Sequence, residues 1–561
     1  MASSSSTNSI THHLRSYRSA LKSNLEITIH SLQPSHVRLK SLLHPLAQNS
    51  TEVDFSALIY CFNRFPQNTS KISKIILGQS PEIYADAGYP DITSWPTVTA
   101  KSRRRIAYFQ PKTRVLAYLI SSVSDIDDLV NILITLQIEW NKFNRLLHKH
   151  YASFPLFIKE IHTPDFLKKF KVSLDTWENF LASLGPDWKP KLQHIYHAPL
   201  DLKIQLLSAS WLNYTKTTQR WWKNIAATVS PSFHISRQEI YFVSSNTHSL
   251  VNAITGFPTT HQTQIVDFIH RHHPRLYQQW QNIQQQTTRL NPTDFLYYAS
   301  RYLLHQTKYQ TAYRTAQRQL GIITIPNREY LDITVQVFPV KNLVSSPHLD
   351  PRLKITKPAR LQKSPALIFN IDYPLGFAAY HILTEVMQNV RHVKGIYILG
   401  KAATLNSEIG DIQIPRLVFD EQSQNSYIFK NVFNTFFPFN NRQGSILTNQ
   451  KSVSVLGTFL ENDSLLRKYS QNDLTVIEME SGPYLSAVTE ATYDTRTPQK
   501  TLVDLNSAPF ELGIINYTSD TPYSQAKNLG AGSLALSGVE PVYLGSLAIL
   551  QRIINLEESL D

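Results

Sequence analysis

Three apolar segments in the last third of the chain end abruptly in polar or acidic residues. They read YILGKAATLNSEIGDIQIP (397–415), TVIEMESGPYLSAV (475–488) and LGIINYTSD (512–520). Each is typical of a strand, and in an open parallel sheet such ends line up along one edge, where ligands bind. We therefore expect Glu478 and Glu480 to converge with Asp520. This convergence predicts acid-catalysed chemistry rather than a scaffold.

The segment Glu478-Met479-Glu480-Ser481 places two carboxylates two residues apart on a strand. Alternation directs both to one face and Met479 to the other. Two buried carboxylates are costly unless they are paired or used. One carboxylate can accept hydrogen bonds from two vicinal sugar hydroxyls, which is a use for the pair. The alternative is one functional and one structural acid.

Asp520 follows an apolar strand and a small residue, Ser519. Partial desolvation at such a position favours the protonated form of a carboxyl group, as a general acid requires. The alternative is a turn or helix-capping aspartate, which is how most Ser-Asp-Thr-Pro segments fold.

The segment IDYPLGFAAYH (371–381) combines a strand end with a helix start. The strand ends at Asp372-Tyr373-Pro374, and Gly376 begins the helix. The N-terminus of a helix can hold an anion or a polar group of a ligand. A tight turn without a ligand is the alternative.

The segment GKAATL (400–405) carries small residues at a strand end. Gly400 and Ala402 allow a ligand to approach the backbone closely. Lys401 can face a phosphate or form a surface ion pair, and Thr404 can supply a hydrogen bond.

Hydrophobic periodicity divides the chain into regions of different character. Residues 1–330 are predicted to be mainly helical, and 124–151 shows the clearest helical pattern, with capping and charge signals at its ends. Residues 331–363 combine an alternating strand with a Pro-rich basic stretch, which predicts a domain junction. Residues 364–561 alternate between strand and helix, which predicts an α/β domain with a mostly parallel central sheet.

Charge is distributed unevenly along the 561 residues. Residues 361–561 carry 14 Lys and Arg against 20 Asp and Glu, whereas residues 1–360 carry 41 against 22. A basic region suggests an anionic partner, and KSRRR (101–105) can contact a nucleic-acid backbone or a substrate phosphate. The alternatives are a basic surface without a partner and ion pairs to the acidic cluster Asp125, Asp127 and Asp128.

Composition limits the remaining possibilities. A single cysteine, Cys61, allows no internal disulfide or cysteine-based metal cage, which favours a reducing, cytoplasmic compartment. No apolar run is long enough to span a bilayer, so no membrane partner is expected. HRHH (270–273) lacks the spacing of a helical zinc pair, and no metal site is predicted. The Ser-rich first 25 residues suggest a disordered N-terminus or, alternatively, a transit peptide.

Taken in order, the C-terminal segments resemble the purine nucleoside phosphorylase and nucleosidase superfamily over about residues 364–561. The family's glycine-rich strand end, followed by Gly-Asp and an apolar-Pro step, is similar to 400–415. Its Met-Glu-Ser signature matches Met479-Glu480-Ser481, and its Ser-Asp signature matches Ser519-Asp520. The helical N-terminal region resembles no domain of stated activity, and the whole chain resembles an uncharacterised family with such a C-terminal domain.

The resemblance implies cleavage of the N-glycosidic bond of a purine nucleoside or nucleotide without a cofactor. Glu480 would hold the ribose hydroxyls, Met479 would pack near the sugar, and Asp520 would protonate or hydrogen-bond N7 of the base. Departure of the base leaves an oxocarbenium-like sugar that a carboxylate stabilises. The resemblance also implies self-association, as a homo-oligomer.

The sequence departs from the family at its phosphate loop. Tyr373-Pro374-Leu375-Gly376 stands where hexameric bacterial phosphorylases carry Gly-Asp-Pro-x-Arg, and no arginine-rich phosphate pocket is evident. Water is therefore favoured over phosphate as the nucleophile, with Asp372, Glu385 and Glu478 as candidates to activate it. Lys401 suggests a phosphate on the substrate. The alternatives are a phosphorylase and a non-catalytic nucleotide- or nucleic-acid-binding protein.

Overall fold

The computed structural model describes residues 3–66, 71–102, 105–208, 210–327, 330–493, 498–522 and 538–559, with the backbone alone for residues 3–8. Its strands, in chain order, are β1 Ile27–Thr28, β2 Lys74–Gly78, β3 Ala107–Gln110, β4 Val115–Leu119, β5 Lys203–Leu206, β6 Glu239–Ser244, β7 Ile323–Ile325, β8 Val335–Pro339, β9 Leu367–Ile371, β10 His392–Thr404, β11 Ile412–Asp420, β12 Ser426–Ile428, β13 Ile446–Ser454, β14 Val476–Glu478, β15 Leu502–Asp504 and β16 Glu511–Asp520.

Helices surround these strands and make the chain a mixture of helix and sheet. They are α1 Ser3–Leu21, α2 Gln33–Leu39, α3 Phe55–Arg64, α4 Pro81–Asp86, α5 Val123–His150, α6 Phe154–Glu160, α7 Pro164–Lys169, α8 Leu174–Leu184, α9 Trp188–His197, α10 Trp211–Val229, α11 Ser249–Thr255, α12 Phe257–Thr260, α13 Gln262–His272, α14 Pro274–Gln284, α15 Pro292–Leu303, α16 Thr307–Gln319, α17 Pro358–Leu361, α18 Ala378–Asn389, α19 Asp463–Gln471, α20 Ser481–Thr492 and α21 Val539–Ser559.

A five-stranded sheet lies within the N-terminal region, in the order β1-β5-β2-β4-β3. This sheet corrects the expectation of a mainly helical region at residues 1–330. Its strands have two to five residues, too few to show a period of two against the surrounding helices. The long helix predicted at 124–151 is α5, whose Ser122 hydroxyl caps the N-terminus by accepting from the backbone N–H of Ser124.

An eleven-stranded sheet forms the second layer, in the order β15-β12-β11-β13-β14-β10-β6-β9-β8-β7, and β16 pairs with β10 and β11. Six of these pairings are parallel and five are antiparallel. The sheet is therefore mixed, and the expectation of a mostly parallel sheet is not confirmed. Hydrophobic periodicity identifies a strand but carries no information on the direction of its neighbours.

The large sheet uses chain from both sides of the junction expected at 331–363. Strand β6, from residues 239–244, lies between β9 and β10 and pairs in parallel with both. Four of its six residues are buried apolar side chains, because helices cover both faces of the sheet. Residues before 330 thus contribute a central strand to the layer that carries the site.

The N-terminal segment is ordered in the described structure, which corrects the expectation of a disordered N-terminus. Helix α1 buries Tyr17, Leu21 and His13 against the first layer. The Tyr17 hydroxyl donates to the Asp127 carboxylate at 2.7 Å, and Arg18 Nε donates to the same group at 3.0 Å. These partners lie more than a hundred residues away, so composition alone gives no sign of them.

Candidate active site

A cavity of about 410 Å³ opens where the ends of β10, β14 and β16 face the N-terminal layer, by which we mean the five-stranded sheet β1-β5-β2-β4-β3 and the helices packed on it. Among the residues singled out in the sequence, those that line it include Tyr373, Lys401, Ala402, Glu478, Met479, Glu480, Ser519 and Asp520. Gly376, Gly400 and Thr404 are described residues that do not line it. The cavity wall thus combines the two acidic motifs with one basic strand end.

Glu480 is the N-cap residue of α20, two residues after the end of β14, and its carboxylate reaches the loop before α18. Its Oε1 accepts a hydrogen bond from the Gly376 backbone N–H at 3.1 Å. Gly376 has a φ of +50°, a conformation that glycine adopts readily. A Cβ at this position would lie 2.5 Å from the Ser124 hydroxyl, which accepts from the Phe377 N–H at 3.0 Å. Gly376 therefore positions Glu480 from outside the cavity.

Glu478 is buried, and its carboxylate is engaged with the protein. Oε2 accepts from the backbone N–H groups of Glu480 and Ser481, both at 2.7 Å, and Oε1 accepts from the Ser454 hydroxyl. Burial raises the pKa of Glu478, while these donors oppose the shift. The contacts match the alternative in which one acid of the pair is structural, because they hold the turn from β14 into α20.

Asp520 is the last residue of β16 and is 2% exposed. Its Oδ1 accepts from the Thr521 N–H at 2.9 Å. The β10–β16 pairing shifts register between Ala402 and Ala403, which leaves Ser519 as an extra residue. Such a bulge re-aims side chains, and it explains how Ser519 and Asp520 both line the cavity although they are consecutive.

Lys401 projects into the cavity from β10. The residue is more than a third exposed, and it borders the cavity, where surrounding protein atoms remove part of its hydration. Burial lowers the pKa of Lys401 to about 8, with the positive charge of Arg64 acting in the same direction and Asp520 opposing it. Lys401 forms no ion pair with any residue in the described ranges.

Glu461 lines the cavity and was missed in the sequence. It follows a short helical turn, Thr458–Leu460, and its backbone oxygen accepts from the Leu42 N–H at 3.0 Å. Burial raises the pKa of Glu461 to about 8, and the charges of Glu421 and Asp520 add to the shift. The available signal was the run Glu461-Asn462-Asp463 after an apolar segment, the same pattern that marked Asp520.

Two arginines of the N-terminal layer also line the cavity. Arg64 is buried, with its guanidinium 3.7 Å from the centre of the Tyr60 ring. Arg105 Nε donates to Asp125 Oδ1 at 2.8 Å, and Nη2 donates to Asp128. The contacts of Arg105 match the alternative in which the 101–105 patch forms ion pairs with the acidic cluster. Residues 103 and 104 of this patch lie outside the described residues. No sequence signal distinguished Arg64.

Of the remaining candidates, Gly400, Thr404 and Glu385 lie off the cavity wall, and Asp372 lies on it. A Cβ at Gly400 would be 3.0 Å from Asn516 Oδ1, and the Thr404 hydroxyl is engaged with Asn406 and Ser407. Glu385 accepts from Asn389 Nδ2 at 3.0 Å and is not on the cavity wall. Asp372 is on the wall, where its Oδ1 accepts from the Tyr373 N–H at 3.0 Å.

The described residues contain neither a cluster suited to a metal ion nor a helix suited to crossing a membrane. Within those ranges, no group of three or more His, Cys, Asp or Glu side chains is arranged to hold a metal ion. Over the same ranges, no helix combines the length and apolarity needed to cross a membrane.

Comparison with known proteins gives one match over most of the chain. The model of DUF6909, a family of unknown function, matches residues 29–555. No curated protein matches significantly.

Solved structures give partial matches at low identity. A 5′-methylthioadenosine/S-adenosylhomocysteine nucleosidase from S. pneumoniae is 10% identical, with a TM-score of 0.29 over 42% of this chain and 90% of its own. An S-adenosylhomocysteine nucleosidase from Streptococcus pyogenes is 9% identical, with a TM-score of 0.31 over 57% and 99%. An AMP nucleosidase from Bacteroides thetaiotaomicron is 12% identical, with a TM-score of 0.26 over 44% and 85%. Similarities this low carry no argument about activity.

Proposed function

Because the chain belongs to DUF6909, whose function is unknown, we propose an activity from the cavity itself. The protein is a nucleosidase-like hydrolase that cleaves the N-glycosidic bond of a purine nucleoside or nucleotide. The observation that carries this proposal is that Met479, Glu480 and Asp520, from two separate motifs, line one cavity. These are the residues whose motifs resemble the nucleoside phosphorylase and nucleosidase superfamily.

The geometry supports a division of roles between two carboxyl groups. The Gly376 N–H donates to Glu480 Oε1 and orients this carboxylate, which in the proposed complex accepts hydrogen bonds from the ribose hydroxyls. Met479 is half-buried beside it and offers an apolar surface to the sugar. Asp520 faces the leaving base and gives a proton to N7 as the bond from C1′ to N9 breaks. The electron pair of that bond leaves with the base.

Water completes the reaction by attacking C1′, and a carboxylate accepts its proton. Three acids were candidates for this role in the sequence. Glu478 is engaged with backbone donors, and Glu385 is not on the cavity wall. Asp372 lines the cavity and is the candidate that the geometry favours.

The test is release of free base from a panel of purine nucleosides and nucleoside 5′-monophosphates, followed by chromatography. Release without phosphate is expected, and Asp520→Asn should reduce it by at least about 100-fold because a general acid contributes that much. Asp473→Asn changes an aspartate whose side chain is 78% exposed and serves as the matched control. Release at the wild-type rate from Asp520→Asn, or no release from any compound, would contradict the proposal.

A phosphorylase is the second candidate, and a specific observation favours it. No arginine-rich pocket is evident in the sequence, but Arg64, Arg105 and Lys401 share the cavity in the folded chain. The same assay, run with added inorganic phosphate, separates the two reactions. Phosphate-dependent release with formation of ribose 1-phosphate would establish the phosphorylase.

A further inference from the structure

Helices α13 to α16 (262–319) form a basic helical unit that lies apart from the candidate active site. The residues that line the active-site cavity all lie outside this range. Buried apolar side chains of the unit, among them Ile265, Trp280 and Phe295, pack into a small core of their own. The segment carries seven Lys and Arg residues against two acids, Asp267 and Asp294. Such an excess of positive charge indicates an anionic partner.

The two acids leave most of this positive charge uncompensated. Asp294 is buried and accepts hydrogen bonds from Arg352, which lies outside the unit. Asp267 is therefore the one exposed acid of the unit. Of the seven cations, Arg301 is half-buried, and the others are exposed, namely Arg271, Arg275, Arg289, Lys308, Arg314 and Arg318. None of the seven forms an ion pair with a residue that the structure describes.

Aromatic rings and cations meet at the end of the unit where α13 is followed by α14 and where α15 ends. The rings of His273 and Tyr302 lie 4.3 Å apart, measured between their centres. The Arg301 guanidinium lies 4.7 Å from the centre of the Tyr302 ring and donates to its hydroxyl at 2.7 Å. Burial lowers the pKa of His273. The nearby positive charges that lower this pKa further are those of His272, Arg301 and His305. Side chains of α13 and α15 thus form one basic and aromatic surface, which we call the α13–α15 platform.

We propose that the α13–α15 platform binds single-stranded nucleic acid. A single strand offers phosphates to cations and unstacked bases to aromatic rings and guanidinium planes. The rings of His273 and Tyr302 are partly exposed and present the aromatic surface. Arg271 and Arg275 are exposed, and they flank the turn at 272–274, where they can pair with phosphates. This binding does not depend on the proposed function, because the platform and the active-site cavity share no residue.

The composition of the platform favours a single strand over a membrane or a duplex. The exposed large apolar side chains of the described structure all lie outside 262–319, whereas a helix that lies on a membrane inserts such side chains among the lipids. A duplex offers phosphates but keeps its bases stacked, so it would leave the rings of His273 and Tyr302 without a partner.

The test measures binding of a fluorescently labelled single strand of about 20 nucleotides to the full chain, by fluorescence anisotropy between about 50 and 200 mM salt. Affinity should fall as salt rises. In Arg271→Gln/Arg275→Gln, the slope of log K against log salt should shrink by about 1.4, because each phosphate contact to a single strand contributes about 0.7. Lys149→Gln/Lys216→Gln removes the same charge from exposed positions outside the unit and is the matched control.

Tyr302→Leu tests the aromatic contribution, and Tyr302→Phe, which keeps the ring, is its conservative control. The leucine variant should bind the strand about tenfold more weakly, since stacking of a base on an aromatic ring contributes that much, whereas the phenylalanine variant should retain most of the affinity. A duplex of the same sequence and vesicles of phosphatidylcholine with phosphatidylserine are the competing ligands. Tighter binding to either of these, no binding of the single strand, or equal salt slopes in the wild type and the folded arginine variant would overturn the proposal.

Discussion

Glu461 is the carboxyl group whose protonation bears most directly on the cavity. Burial together with Glu421 and Asp520 raises its pKa to about 8, so it carries a proton at pH 7. Ionisation of Glu461 would place a negative charge near Asp520, raise the pKa of that carboxyl group and make it a weaker proton donor. We infer that Glu461 is a positioning residue that acts through the electrostatic environment of Asp520.

This role predicts a pH dependence of base release from an unphosphorylated nucleoside. Because Glu461 ionises as the pH rises through about 8, kcat/KM should fall there, and Glu461→Gln should remove that fall. The pKa of Lys401 is also about 8, so Lys401→Met is measured alongside. A fall that persists unchanged in Glu461→Gln but vanishes in Lys401→Met would assign it to the lysine instead.

At the scale of single elements, the turn from β14 into α20 depends on one buried carboxylate. Glu478→Gln should lower the free energy of unfolding by about 1–3 kcal/mol. The present donors bind both oxygens of the Glu478 carboxylate, whereas a glutamine amide has only one acceptor oxygen. Urea denaturation measures this change. Glu408→Gln, at an exposed position, is the control. Equal stability of the two variants would show that the turn forms without the Glu478 carboxylate.

The loop before α18 gives a second prediction at this scale. Gly376→Ala combines a positive φ with a contact of 2.5 Å to Ser124, so it should displace the N–H that binds Glu480. We expect a raised KM and a loss of stability of more than about 1 kcal/mol. Gly88→Ala shares the positive φ in open space and measures the backbone strain alone. Indistinguishable KM values for the two variants would count against a positioning role.

At the scale of the whole molecule, a chain of buried histidines links the N-terminal segment to α5. His13 Nε2 and His36 Nδ1 both hydrogen-bond Asn131 Oδ1, and His36 Nε2 hydrogen-bonds His44. Burial lowers the pKa of His13 to about 4 and that of His36 well below its usual 6.5. Both rings are therefore neutral in the folded protein.

Acid should therefore destabilise the protein as the pH falls below about 6.5, the usual pKa of histidine. Below about pH 6.5 the unfolded histidines bind protons that the folded ones reject, so stability falls by up to about 1.4 kcal/mol per pH unit per histidine until the folded pKa is reached. Urea denaturation between pH 7.5 and 4.5 measures the slope. His13→Asn should reduce it, whereas exposed His270→Asn should not. A flat profile in the wild type would exclude this contribution.

Other expectations about the whole molecule stay predictions. They are the division at 331–363, self-association, the cytoplasmic compartment and an anionic partner for the basic region. The cavity reduces the basic charge that is left for an external anionic partner, because Arg64 and Arg105 line the cavity instead of the outer surface. Arg18 likewise pairs with Asp127.

Local pattern determined which segments of the C-terminal region become strands and helices. The runs at 366–371, 481–492 and 512–517 correspond to β9, α20 and β16, because an apolar period of two or 3.6 is a property of neighbouring residues. The short motifs at 478–481 and 519–520 likewise marked residues that the fold brings into one cavity. Which of the two acids holds the turn from β14 into α20 could not be predicted, since the Glu478 carboxylate is also bound by the Ser454 hydroxyl from another strand.

Only the tertiary structure decided how distant segments meet. Strand direction, the central place of β6, and the arrival of Arg64, Arg105 and Glu461 at the cavity all depend on contacts across long stretches of chain. Local sequence carries no signal for such contacts, because the free energy that selects them comes from burying surfaces of separate elements against each other. The sequence by itself thus determined the acidic motifs, and the fold determined the cations that face them.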